Sequence, residues 1–492
     1  MMMMPVFLLL VLVLAGPSVG AQTPDAMCRA LARASVSALA TAACTRVVTV
    51  QLQAALAAAT AGDVLCLSGT FRGSYTLPAR PDSGWVVVRS AITLSTPGAR
   101  MRPSLAGPLA KIVATAGGSA SAITTAPRAR GWYLRELEIT TDSTLRVGPS
   151  PIVGIATPPD SLSWASDIVL DRLYVHGWPA QTVRRCILFN GAASSLVDSW
   201  VDDCHEKGAD SQALASFSGM GPFLIRNNYL AGAGENIMFG GADPKFRTSP
   251  SDITIVGNHV HTPATWVTRW TKKNLLETKN ARRVLIADNV FQGSWPDGQT
   301  GVAIVLKSAN QSGACRWCIT ADVVIERNLI LDASSPLNVN GRGGATHPVD
   351  STSRRIEVTE NYSDLTGAAP WTLDKRGIML LSDAEDVRLT GNTWLRPAGV
   401  GADYTAGTGG PGPRYTLDRD AGTRPQYMSF GCWTAVCAPG LVRAGNVLIG
   451  AAVGTPPPGF VFVPTLDAAL ARGAGVSRAT IDAAVRGVVI LP

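Results

Sequence analysis

The chain has 492 residues, of which 46% are hydrophobic and only 16% charged, with 49 glycines and 32 prolines. This composition excludes a disordered chain, and the length exceeds one ordinary core but suits an array of repeats that each pack on their neighbours. The formal charge of +7 comes without a Lys/Arg run and without basic residues interleaved with aromatics, which argues against nucleic acid; an acidic polysaccharide is the more natural partner, and a basic surface with no partner is the plain alternative.

Residues 5–15 (PVFLLLVLVLA) are too short an apolar run to span a bilayer, and small residues follow that allow cleavage after Gly20 or Ala21. A signal peptide is expected over 1–21, with a short interfacial anchor as the competing reading because no Lys or Arg precedes the run. No later run of about 18 apolar residues occurs, so no stable membrane insertion is expected. The mature chain is expected to be a secreted or periplasmic monomer. It divides into an N-terminal segment (22–48), a solenoid (49–450) and a C-terminal cap (451–492) that contains a short helical pattern near 477–486.

Nine cysteines fit export to an oxidising compartment. The spacings permit Cys186–Cys204, Cys315–Cys318 and Cys432–Cys437 bridges, while Cys66, in an apolar strand, reads as buried and inert. Cys315 and Cys318 have the spacing of half a zinc site, but no second half accompanies them.

Residues 49–78 (TVQLQAALAAATAGDVLCLSGTFRGSYTLP) predict a Thr49 N-cap, a short helix ending near Gly62, a Val64–Leu67 strand and a second strand. An amphipathic helix leading into the first strand would cover the first apolar layer of a solenoid. From about residue 131 an alternating strand that ends in Asn recurs at a mostly regular spacing of about thirty residues. It reads LIRNNYL (Asn228), ITIVGNHV (Asn258), VLIADNVF (Asn289), VVIERNLI (Asn328), IEVTENY (Asn361), VRLTGNTW (Asn392) and LVRAGNVL (Asn446). Stacked amides can hydrogen-bond up a ladder while satisfying each bend, so these asparagines read as structural. Earlier coils carry Leu137, Leu173 and Trp200 near the same place. The fold class this predicts is all-β, a right-handed parallel β-helix with an N-terminal capping helix.

Each unit carries a second strand: CILFNG, QALASF, NIMFGG, LLETKN, AIVLKS, PLNVNG and IMLLSD. Period two turns Ile187, Ala213, Ile237, Leu276, Ile304, Leu337 and Met379 inward, and with them Phe189, Ala215, Phe239, Thr278, Leu306, Val339 and Leu381. The outward column then holds Lys279, Lys307 and Asn340, and two residues earlier Glu277, Val305 and Asn338. Insertions at 261–273 and 292–300 would wall a groove over these middle coils.

Glu277 and Lys279 thus share one outward face, with Lys307 one coil on, about 4.8 Å along the solenoid. Two neighbouring ammonium groups disfavour each other's protonation, so one lysine could serve as a base while the other neutralises a substrate carboxylate. β-Elimination of a uronate needs both roles. Asn338, Asn340 and Arg342 could hold sugar hydroxyls or the carboxylate. In the loops, Trp266, Trp270 and Trp295 are candidate sugar platforms, with Arg269, His259 and His261 nearby; loop packing is the equal alternative. Asp202, Asp203, His205, Asp210, Gln212, Glu235 and Asn236 add polar groups on adjacent coils that could bind Ca²⁺ or substrate, or supply a second acid/base; turn capping is the plainer reading. Paired acids among Asp202, Asp203 and Asp210 would suit a glycoside hydrolase, but no Gly-His-Gly or Arg-x-Lys accompanies them.

The opening segment and the repeated Asn-ended strands resemble the pectate lyase-like β-helix superfamily. Within it, LLETKNARRVLIADNVF followed by VAIVLKS is similar to the core of chondroitinase B-type and alginate lyases. That resemblance implies Lys279 as the catalytic base and Lys307 in place of an arginine, which removes a bidentate fork. It also implies two calcium-binding glutamates just before the base, where this chain has Lys272 and Asn274. A polysaccharide lyase is therefore the leading expectation; a non-catalytic glycan-binding surface protein and a glycoside hydrolase are its rivals.

Overall fold

The computed structural model describes residues 40–94, 99–115, 121–148, 150–343, 346–367, 370–371, 377–396, 404–406, 415–419, 421–423, 442–450 and 459–488. The expected signal peptide and the Cys432–Cys437 pair lie outside them. Among the described residues the strands form three sheets of 14, 11 and 14 members, every pairing parallel, and each coil visits all three in turn. The chain is a right-handed parallel β-helix.

From Asn228 to Asn392 each coil turns from the first sheet to the third through a left-handed residue followed by Asn. Asn227, Gly257, Asp288, Arg327, Glu360 and Gly391 have φ of 53°, 66°, 55°, 50°, 53° and 66°. Only two of these are glycines, so most of the corners carry a conformation that L-residues disfavour. The ladder holds them: Asn228 Nδ2 donates to Asn258 Oδ1 at 3.0 Å, and the relay continues through Asn289, Asn328, Asn361 and Asn392. One coil earlier the place belongs to Ser199 and not to Trp200, because the Ser199 N–H donates to Asn228 Oδ1 while Trp200 pairs with Tyr229 on the outer face.

In the second sheet Ile237, Leu276, Ile304 and Leu337 stand in register, as do Phe239, Thr278, Leu306 and Val339. All but Thr278 belong to one continuous apolar core. Burying each large apolar side chain contributes about 1.5–3 kcal/mol. Two coils differ from the period-two expectation by one residue. Leu214, not Ala213, aligns with Ile187 and Ile237, and Ala215 aligns with Met238. Leu380, not Met379 or Leu381, aligns with Val339, which places Met379 beside Asn338 and Leu381 beside Asn340. Alternation alone leaves QALAS and IMLL ambiguous, since consecutive apolar residues satisfy either phase.

The first coil contains a helix, Leu52–Ala57, that buries Leu52, Ala55 and Leu56. It starts after Gln51 in the left-handed region with no side-chain cap, so Thr49 does not cap it. Cys66 is buried, as expected, and is bonded to Cys44, a pairing the spacings had not suggested; Cys186–Cys204 and Cys315–Cys318 are also bonded. Among the described residues no helix is long and apolar enough to cross a membrane.

The third sheet's outer face is covered by the chain itself. Met101, Ala106 and Leu109 pack with Trp200 and Tyr229, and further along Val476, Ile481 and Val485 pack on Val290, Leu329 and Tyr362. Among the described residues two helices lie near the C-terminal end, Leu466–Ala471 and Arg478–Ala484, capped by the Thr465 and Ser477 hydroxyls. The second sheet keeps a partly exposed polar strip at Lys279, Lys307, Asn338 and Asn340.

Candidate active site

The site is built on the Asn274–Thr278 strand, between Glu235–Phe239 and Val302–Ala309. Leu276 and Thr278 turn inward, so Glu277 projects out, with Met238 and Val305 as its register neighbours. Lys279 follows at the strand end, and Lys307 stands next to Asn340 of the following coil.

Glu277 is fully buried despite lying on the outer face, because the two lysines close over it. Lys307 Nζ lies 2.5 Å from its Oε1 and Lys279 Nζ 3.7 Å, while Asn274 Nδ2 donates to Oε2 at 3.4 Å. Burial alone would push its carboxyl pKa up; the two ammonium charges outweigh this and hold it below the usual carboxylate range. Glu277 is therefore a carboxylate that fixes two partly exposed cations from beneath.

Beyond Lys307, Asn338 and Asn340 are half-buried and their Oδ1 atoms have no hydrogen-bond partner. Arg342 is exposed past a register shift in the same strand. Val302, Val305, Met379 and Leu381 form an apolar patch around Asn338. The face thus runs from a charged cluster to half-buried amides beside a buried apolar cluster.

On the other side of Glu277 stands Glu235, fully buried, accepting from Gln212 Nε2 at 2.8 Å and lying 3.7 Å from Lys273 Nζ. Its pKa is pushed up to about 7 by burial, with the Glu277 and Asp210 charges adding and Lys273 opposing. Lys273 also pairs with Asp210. Gln212 and Lys273 thus surround Glu235 beside the Glu277 cluster, and Gln212, Glu235 and Asn274 occupy one register column.

The other candidates are not gathered here. Asn236 is buried in the coil bend, its Nδ2 donating to Leu230 O and His261 O and its Oδ1 accepting from Thr262 and Lys272. Trp266 is buried edge-on against His205, and Trp270 stacks on the same imidazole at 4.0 Å, so both indoles serve loop packing. Trp295 is buried against Trp371. Arg269 is exposed and donates to Pro179 O. His259 and His261 stack on the third sheet, where burial depresses the His261 pKa to about 4. Asp202 also lies there, accepting from Trp200 Nε1 and Asp203 N, its pKa raised to about 7 by burial and the Asp203 charge.

A divalent cation does not fit where the sequence resemblance implies one. At the two positions where the resemblance implies glutamates, Lys272 places a buried amino group among the available oxygens and Asn274 faces Glu277. Among the described residues no three His, Cys, Asp or Glu side chains converge as a metal site.

No family model and no curated protein matches the chain. Among solved structures it is similar to an alginate lyase from Paenibacillus sp. str. FPU-7, at 16% identity and a TM-score of 0.38, over 76% of this chain and 98% of that one. The alginate lyase AlyGC, of polysaccharide lyase family 6, is similar at 12% identity and a TM-score of 0.48, over 88% of this chain and 56% of that one. A mannuronic acid-specific family 6 polysaccharide lyase from human gut microbiota is similar at 12% identity and a TM-score of 0.45, over 89% and 98%. Such likeness is one of architecture and transfers no residue role to this chain.

Proposed function

We propose that this protein is a secreted polysaccharide lyase that cleaves a uronate-containing glycan by β-elimination. The observation that carries the proposal is the unequal grip of one buried carboxylate on two cations: Glu277 holds Lys307 at 2.5 Å and Lys279 at 3.7 Å. The tightly held Lys307 is suited to neutralise the uronate carboxylate, which acidifies the adjacent C5 proton. The looser Lys279 stands beside it on the same face and is placed to take that proton. As the C5–H bond breaks, its electron pair forms the C4–C5 double bond and the C4–O bond breaks; the leaving oxygen takes a proton from water. Asn338 and Asn340 would bind the neighbouring hydroxyls, and Glu277, which is buried, is a positioning residue. Three disulfides support an extracytoplasmic location.

The test is a panel of alginate, pectate and glycosaminoglycans scored by ultraviolet absorbance of the unsaturated product. One acidic polymer is expected to give product, Lys279→Ala none, and Lys307→Ala a raised KM. Affinity for a glycan with no turnover on any of them would favour passive binding instead.

A further inference from the structure

Lys272 is fully buried, and among the described residues no carboxylate lies within ion-pair distance of it. Lysine is almost never buried without a partner. Its Nζ contacts three oxygens: Asn236 Oδ1 at 3.0 Å, Thr262 Oγ1 at 2.9 Å and the Asn274 carbonyl at 2.8 Å. An ammonium has three N–H donors and no acceptor, so this set uses all of them. A neutral amine has two donors, and the third oxygen would then face its lone pair. Burial pushes the pKa well below that of a free lysine, and the nearby Glu235 charge opposes the fall; the three-oxygen cage matches the donor count of the protonated form.

The three oxygens come from separate elements. Asn236 lies on the preceding second-sheet strand, Thr262 just after the His259–His261 strand of the third sheet, and Asn274 opens the strand that bears Glu277. Neutral carbonyl and hydroxyl oxygens around a cation are the kind of donor set that calcium also takes. Here the cation is covalently part of the chain.

We propose that Lys272 is a positioning residue that acts as a built-in cation, setting the Glu277 strand without a divalent metal. This rests on the second-sheet face being the active site, but its test does not need turnover. Purified wild type, Lys272→Met and Lys272→Glu are melted in EDTA and in excess calcium. The wild-type Tm is expected to be the same in both. Lys272→Met keeps the side-chain length but not the donors, so its Tm falls in both media alike. Lys272→Glu adds a carboxylate to the three oxygens; its Tm is low in EDTA and rises with calcium, a response that a merely space-filling lysine would not leave behind. A wild-type Tm that falls in EDTA, or a Lys272→Met protein that melts with the wild type, overturns the proposal. If no polymer is cleaved, the lyase assignment fails while these melting results still decide the role of Lys272.

Discussion

Replacing Glu277 by Gln removes the charge beneath both lysines while keeping the shape. At an effective dielectric of about 20, the 3.7 Å contact with Lys279 is worth about 4 kcal/mol of gross attraction and the 2.5 Å contact with Lys307 rather more. Desolvation of the buried carboxylate offsets much of this. Breaking a buried pair from one side costs about 3–5 kcal/mol, and because the two lysines keep 15% and 19% side-chain exposure the low end applies, about 3 kcal/mol. If that energy is what orders the catalytic pair, kcat/KM falls about a hundredfold. Initial rates of unsaturated product on the responsive polymer measure it, with circular dichroism to confirm the fold. The pH arm has a definite sign. Since the Glu277 pKa is depressed in the fold, its stabilisation is present above the unfolded carboxyl value of about 4.3 and is lost as pH falls through the lower folded value. The stability gap between wild type and Glu277→Gln should therefore close in acid. Wild-type rates in the variant, or a gap that persists in acid, would refute the role given to this carboxylate.

Glu235 has the opposite linkage: its folded pKa of about 7 lies above the unfolded value, so stability is greatest below about 4.3 and roughly 3 kcal/mol is lost as pH rises to 7. Glu235→Gln should abolish that share of the slope in denaturation midpoints measured across this range. Asn289→Ala takes the acceptor from the buried Asn258 N–H and interrupts the ladder, at about 3 kcal/mol, and hydrogen exchange should show the loss of protection centred on that coil. Reduction of Cys44–Cys66 and Cys186–Cys204, which close loops of 22 and 18 residues, should each cost about 3 kcal/mol in urea unfolding; an unchanged midpoint under reductant would contradict this.

The solenoid was legible because its signal repeats: an Asn after an alternating strand, seven times over, leaves one arrangement in which each amide meets the next. The Glu277, Lys279 and Lys307 cluster was legible because the charged residues themselves mark the outward phase of LLETKN and AIVLKS. QALAS and IMLL do not, and there the register slipped by one. For the tryptophans groove and loop packing stood equal in the sequence, because composition cannot tell an indole that faces a groove from one that packs on a buried imidazole. Lys272 was visible only as a departure from a resembling pattern; its meaning depends on Thr262 and Asn236, which reach it from two different sheets.

Elimination and hydrolysis differ in whether water enters the product. Digestion of the responsive polymer in oxygen-18-labelled water, followed by mass spectrometry of the fragments, separates them directly. Elimination driven by Lys279 gives a new unsaturated end and no label at the cleaved bond. Fragments that are saturated and carry the heavy oxygen would contradict it.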